Sequence, residues 1–254
     1  MSLFTRLTLA ATLAACVATA QAGPVAGRGT WETTLFARDI NGLAVPLNSA
    51  SAAFFYDATM NVTRLANMNQ QNSTMAWGVA VAWADALTTG GFTDWRLPAI
   101  LDSGAAGCDF SYAGGTDCGY NVQTQVGSAF SEWAHLNFVT LGNLAYCPPG
   151  DATCAGAPQT GWGLSNTAYF QDMQPYGYSS GSEYGSPGSG LAWHFVASYG
   201  RSYFSVTSDL VPAVAMRSGD VLRDDGTVPE PHSLVLALAA LACLGVAQRR
   251  RRAA

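Results

Sequence analysis

The chain contains no lysine, and only 11 % of its 254 residues carry a charge. So little charge beside 49 % hydrophobic residues excludes an intrinsically disordered chain, which needs the opposite balance. The absence of lysine itself reads as coding bias towards Ala, Gly and Arg. Basic charge is scarcest where a partner would be met. With Arg6, Glu230 and Arg249 to Arg252 set aside at the two ends, seven basic residues face sixteen acidic ones, a balance of −9. A polyanion needs a basic face, so nucleic acid and anionic lipid are excluded as partners. Catalytic sets are missing as well. The stretch Gly181-Ser182-Glu183-Tyr184-Gly185 breaks the Gly-x-Ser-x-Gly pattern of a nucleophile elbow and lies among polar turn residues. No Cys-x-x-Cys pair, no EF-hand spacing and no Glu-Pro-Asn or Gln-Pro-Asp tripeptide is present, and no internal repeat is evident. Asp109, Asp117 and Asp151 sit in glycine-bearing turns, the oxygen-rich kind that can hold calcium, but read as solvated turns. No metal and no cofactor is expected.

What the chain has in abundance lies at its ends. Residues 1–22 read as an export signal: Arg6 in a short n-region, an apolar run from Leu7 to Ala20, and Ala20-Gln21-Ala22 as the small-x-small site that signal peptidase cuts. Leu13-Ala14-Ala15-Cys16 offers a lipobox as the competing reading. At the other end, Pro229-Glu230-Pro231 precedes an apolar stretch, residues 233–247, and the cluster Arg249-Arg250-Arg251-Arg252. The prolines stop any helix from running in, and the arginines hold the far end of the span in the cytoplasm. This three-part tail resembles the PEP-CTERM sorting signal over residues 228–254. The resemblance implies recognition and cleavage by an exosortase in a bacterium that makes exopolysaccharide, with the membrane engaged only through the span before processing.

Between the ends lie a lead-in over 23–53, a domain over 54–221 and a linker over 222–227. Roughly 205 residues are enough for one domain with its own core. Four of its cysteines, Cys108, Cys118, Cys147 and Cys154, form an even set in an oxidising compartment. They allow three connectivities; local pairing, Cys108–Cys118 and Cys147–Cys154, closes two short loops and is the expected one.

Ala53 to Asp57 and Asn61 to Leu65 read as a strand pair, with Val62 and Arg64 on one side and Thr63 and Leu65 on the other. Met75 to Thr89, capped by Ser73 or Thr74 and stopped by Gly90-Gly91, reads as a helix. Phe130 to Leu144 reads as a second helix, ended by Gly142-Asn143. Short strands are expected at Thr167 to Phe170, Leu191 to Ser198, Arg201 to Val206 and Val211 to Arg217, with residues 176–190 as a polar loop. Early strands, two helices and a late meander with long pinned loops give an α+β domain.

Trp83-Ala84-Asp85-Ala86-Leu87 and Gly90-Gly91-Phe92-Thr93-Asp94-Trp95-Arg96-Leu97-Pro98 resemble the Lcl C-terminal domain, a family of exported bacterial domains of unknown function. The likeness continues through Ser182-Glu183-Tyr184, Ala192-Trp193-His194-Phe195, Gly200 and Ala213 to Asp220. It implies a C-type-lectin-like fold of the formylglycine-generating-enzyme type. Where the family often has a tryptophan, this chain has Ser179. Paired cysteines are poor nucleophiles and poor copper ligands, which argues against that enzyme's activity.

Asp94, Trp95, Arg96 and Pro98 read as a structural signature: two residues apart in an extended segment, Asp94 and Arg96 share a face opposite Trp95. His135 lies in a helix pattern, and His194, between aromatics in a strand, reads as a satisfied or surface residue. The candidate binding residues are Tyr176, Tyr178, Glu183 and Tyr184, aromatics and an acid among serines and glycines, the composition that stacks and rings a sugar. The expected function is a non-catalytic exported surface or matrix protein, sorted by exosortase and binding exopolysaccharide. The alternative is an extracellular enzyme acting on that polysaccharide.

Overall fold

The computed structural model describes residues 22–102, 108, 117–120, 124–125, 128–129, 131–148 and 157–223. The export signal, Cys154 and the sorting tail lie outside the described residues, as does the apolar run 233–247. Among the described residues no helix is long and apolar enough to cross a membrane.

The elements in chain order are α1 (Trp31–Thr34), β1 (Leu35–Arg38), β2 (Phe54–Asp57), β3 (Val62–Leu65), β4 (Thr74–Met75), α2 (Trp77–Asp85), β5 (Gly119–Tyr120), β6 (Thr124–Gln125) and β7 (Ser128–Ala129). There follow α3 (Glu132–Ala134), which widens into a π-type turn over His135–Thr140, then β8 (Gly177–Glu183), β9 (Leu191–Val196), β10 (Arg201–Val206), β11 (Val211–Pro212) and β12 (Met216–Ser218). Two antiparallel four-stranded sheets dominate, ordered β1-β2-β3-β12 and β5-β10-β9-β8. With few and short helices, this is an α+β arrangement.

The first sheet carries a buried apolar and aromatic load interrupted by Asp57, Thr63 and Arg64. Phe54, Phe55 and Val62 are buried, and Asn61 makes the hairpin turn at φ 52°, a left-handed value that asparagine tolerates. All four residues of β3 are buried. The alternation in Val62 to Leu65 therefore separates two covered faces, not core from solvent. Thr63 satisfies its hydroxyl by donating to the Gly219 carbonyl at 2.7 Å. Residues 23–53, expected as a lead-in, supply α1 and β1, and β1 pairs along its whole length with β2. At the far end, Val221 is buried and Arg38 grips Asp220 through Nη2 at 2.7 Å, so the chain stays packed past residue 219.

Several expected elements shift for identifiable reasons. The first helix starts at Trp77, because Thr74 and Met75 pair with Pro212 and Val211, and neither Ser73 nor Thr74 caps it. It ends at Asp85, and Gly90 and Gly91, at φ 67° and 75°, form the separate turn that follows. The second helix is confined to 132–140, begun by Ser131, whose hydroxyl accepts from the Ala134 amide, and ended at Gly142. Thr167 to Phe170 is a turn and not a strand. Ala168 stands at φ 47°, and the Asn166 side chain accepts from its amide at 3.0 Å. Residues 177–183 are a strand where a polar loop was expected, because β9 supplies a hydrogen-bonded ladder for them. Val211 to Arg217 is divided between β11 and β12. One expected disulfide, Cys108–Cys118, is present; Cys147 is buried and disulfide-bonded.

Candidate functional site

The Asp94 to Pro98 signature is a junction between the two sheets. Trp95 is buried, stacks on Phe54 at 5.6 Å and donates its indole N–H to the Phe92 carbonyl. Arg96 exchanges both backbone hydrogen bonds with Met216 of β12, each at 2.8 Å, and Pro98 accepts from the Gly181 amide of β8. The Arg96 guanidinium forks onto Glu132 at 2.7 and 2.8 Å, and the same carboxylate accepts from the Ala99 amide at 2.6 Å. One six-residue segment thus ties the first sheet, the second sheet and α3. The expected shared face of Asp94 and Arg96 is not formed. Asp94 is exposed at φ 63°, so the extended run begins only at Trp95.

Beneath this junction lies a buried ionic network. Arg64 is 2 % exposed and Asp57 is fully buried, 3.5 Å apart. Asp57 also accepts from Thr140 at 2.8 Å and Thr59 at 2.5 Å. The Thr59 hydroxyl proton is committed to Asp57, so His135 must donate from Nε2 to Thr59 at 3.0 Å. Burial pushes the Asp57 carboxyl up, but Arg64 and the two hydroxyls outweigh it and hold the group below its ordinary value. Glu132 is likewise held low, against burial, chiefly by Arg96. Both acids of this network are paired within the fold.

The open chemistry sits on the outer face of the second sheet. The β9–β10 hairpin pairs His194 with Tyr203, and strand alternation puts Arg201, Tyr203, Ser205, His194 and Val196 on one side while Trp193, Phe195 and Phe204 face inward. His194 and Tyr203 meet edge to face at 5.9 Å. The Arg201 guanidinium lies over Tyr203, Tyr199 and Tyr120, 5.1, 5.3 and 5.9 Å from the ring centres. Tyr199 continues to Tyr146 at 5.3 Å and to Trp162 at 5.7 Å. These rings form one partly exposed aromatic belt. Beside it opens a cleft of about 570 Å3, lined by Tyr176, Gly177, His194, Tyr203, Asp209 and Val211 among others. Burial first, then the charge of Arg201, depresses the His194 pKa to about 4, so the imidazole is neutral at ordinary pH. Its Nδ1 is buried without a hydrogen-bond partner.

The four expected sugar contacts do not meet in one place. Tyr178 is 0 % exposed, stacked on Trp133 at 4.3 Å, with its hydroxyl accepting from the Gln174 amide. Burial raises its phenol well above the ordinary value. Glu183 is spent on the Gly188 amide at 2.9 Å, and Tyr184 stacks on Phe204 at 3.7 Å over the smaller core. Tyr176 alone, 66 % exposed, reaches the cleft. Sequence reasoning missed Tyr203, Arg201 and Tyr199, and took His194 as a satisfied or surface residue. The signal was available, since period-two reading of Leu191 to Val196 and Arg201 to Val206 about the Gly200 turn places His194 opposite Tyr203.

No curated protein matches the chain, and no solved structure does. Residues 227–252 match the PEP-CTERM protein-sorting motif. The Pro-Glu-Pro triad, the apolar run and the four arginines fall inside that match, so the chain is an exported substrate of exosortase, anchored in the membrane before it is cleaved.

Proposed function

We propose that the exported domain is a non-catalytic glycan-binding module of the cell surface or extracellular matrix, released to its place by signal peptidase and exosortase and holding exopolysaccharide on the outer face of its second sheet. The observation that carries this reading is the aromatic belt beside the His194 cleft. Partly exposed rings on a rigid sheet supply flat apolar faces for pyranose rings, and their hydroxyls and neighbouring polar groups supply orientation. An acidic domain with neutral aromatics suits an uncharged polymer better than a polyanion. The Lcl C-terminal-like, C-type-lectin-like fold belongs to the same proposal, supported by two small antiparallel sheets, few helices and a disulfide-pinned loop region.

Titration of the exported protein with the host's own exopolysaccharide, followed by tryptophan fluorescence, tests the reading. Saturable binding is expected, and Tyr203→Ala should weaken it about three- to tenfold, the equivalent of one stacking contact of ~0.5–1.5 kcal/mol. Release of shorter fragments during the titration would instead mark an enzyme. Absence of binding would sink the proposal. The sorting step has a separate readout: deleting Pro229 to Pro231 should leave the unprocessed chain in the membrane fraction, and unchanged processing on a gel would contradict it.

A further inference from the structure

We propose that the floor of the cleft, where Gly177 lies against His194, is a subsite for a single uncharged hexose ring, a specificity element that rests on the glycan-binding reading and goes beyond it.

Gly177 has an ordinary backbone, outside the left-handed region, so its conformation does not call for glycine. A side chain is what the position excludes: a Cβ would come 3.1 Å from His194 Cδ2 and 3.7 Å from Val211 Cγ1. Glycine in a strand weakens it and often marks a close approach by something else. The missing side chain leaves the edge of the imidazole uncovered towards the cleft. The Nδ1 of that ring is enclosed and has no hydrogen-bond partner. A buried N–H without an acceptor is rarer than an under-used acceptor, which places the single proton of the neutral ring on Nε2. His194 therefore offers an uncharged donor to the cleft.

The other lining groups complete a sugar-shaped set. Tyr176 and Tyr203 provide ring faces, and Asp209, exposed on the rim, provides an acceptor for hydroxyl protons. Arg201, whose guanidinium lies against three tyrosine faces, is not among the residues that line the cleft. A carboxylate on the ring would meet Asp209 and a neutral imidazole, with the domain's surplus of acids behind them. The set therefore accepts a neutral hexose and rejects a uronate. The volume is in the range of small-ligand sites.

The test is a titration of the exported protein with the methyl glycosides of glucose, galactose and mannose, and with glucuronate, observing imidazole proton–nitrogen correlations. His135 and His232 are the other histidines of the chain, so assignment is direct. At least one neutral glycoside should shift the His194 signals saturably, and glucuronate at the same concentration should not. Gly177→Val should weaken that response at least tenfold while exopolysaccharide binding through the belt changes less than about threefold. His194→Gln, read by saturation transfer to the glycoside, should weaken it likewise and guards against misfolding of the first variant. Trp162→Ala should do the reverse, lowering polymer binding and sparing the glycoside. No His194 response to any neutral glycoside, an equal response to glucuronate, or unaltered glycoside binding in both cleft variants overturns the subsite. Loss of polymer binding with the glycoside response intact strikes only the belt.

Discussion

Asp57→Ala is expected to lower the unfolding free energy of the domain by about 3–5 kcal/mol, the cost of breaking a buried ion pair from one side. The magnitude follows from what is left behind. Among the described residues Arg64 would keep the Glu132 carbonyl, at 3.1 Å, as its one acceptor, and Thr59 and Thr140 would each lose an acceptor. Urea unfolding followed by tryptophan fluorescence measures it, and a loss under 1 kcal/mol would show that the network is dispensable. Glu132→Ala should cost less, because Arg96 is more than a third exposed along its side chain and can turn to water.

The same network fixes how the protein responds to acid. Asp57 and Glu132 both titrate in the folded state below their ordinary values of 3.8 and 4.5. As pH falls, the unfolded chain takes up protons first, so stability is complete above about pH 5 and drains away as pH drops through the folded values. His135 acts in the same direction from a higher starting point. Burial holds its pKa below 6.5, against the pull of Asp57, so the unfolded chain again binds the proton first. The apparent midpoint of urea unfolding should therefore be flat near neutrality and fall on acidification, and in Asp57→Ala the fall should be shallower.

Gly29→Ala is the second large effect expected. Gly29 stands at φ 73°, and an added Cβ would come 2.6 Å from the Gly142 amide nitrogen and closer still to the Thr140 carbonyl. Gly142, at φ 66°, has the mirror problem, its Cβ meeting the Gly29 nitrogen at 2.5 Å. Two backbones touch here with no room for a side chain on either. Left-handed strain of ~1–2 kcal/mol and forced displacement of ~1–3 kcal/mol add to roughly 2–5 kcal/mol. The displaced contact also carries the Thr30 amide bonds to Val139 and Thr140. A melting temperature within a degree or two of the unchanged protein would refute the account. Gly91→Ala serves as a control that keeps the left-handed strain, at φ 75°, without the clash, since the nearest atom to its Cβ is the flexible end of Arg223 at 3.6 Å, so it should cost only the ~1–2 kcal/mol of strain.

Where the chain pattern is local, the sequence spoke clearly. Leu191 to Val196 and Arg201 to Val206 are short aromatic segments on either side of a glycine turn, and they pair as the expected meander requires. Tyr178 shows the opposite case. Its neighbours are serines and glycines, the composition of a loop, yet the next strand, β9, gives them a ladder and Trp133 gives the ring a seat. Composition cannot see a partner, so the tyrosine read as a surface contact became core. β1 was hidden for a similar reason: Leu35 to Arg38 is too short to carry a period. The candidate site was half legible. Tyr176 was singled out, but the residues around it are joined by cross-strand register, which appears only when two strands are laid side by side. Asp94 failed on backbone grounds, since one residue in the left-handed region resets which side chains share a face.

The first sheet has its earliest strand at one edge and its latest at the other, and Arg38 reaches across 182 positions to close on Asp220. A chain threaded outward from its N-terminus delivers β1, β2 and β3 early but leaves them with an unpaired margin until β12 arrives. The segment that completes the sheet is the one that immediately precedes the sorting tail. Sealing of the domain and arrest of the chain in the membrane are therefore consecutive steps of one passage. Anything that stalls translocation before residue 216 leaves outside the membrane a half-built sheet with a bare β3 edge, the form most open to proteases and to self-pairing.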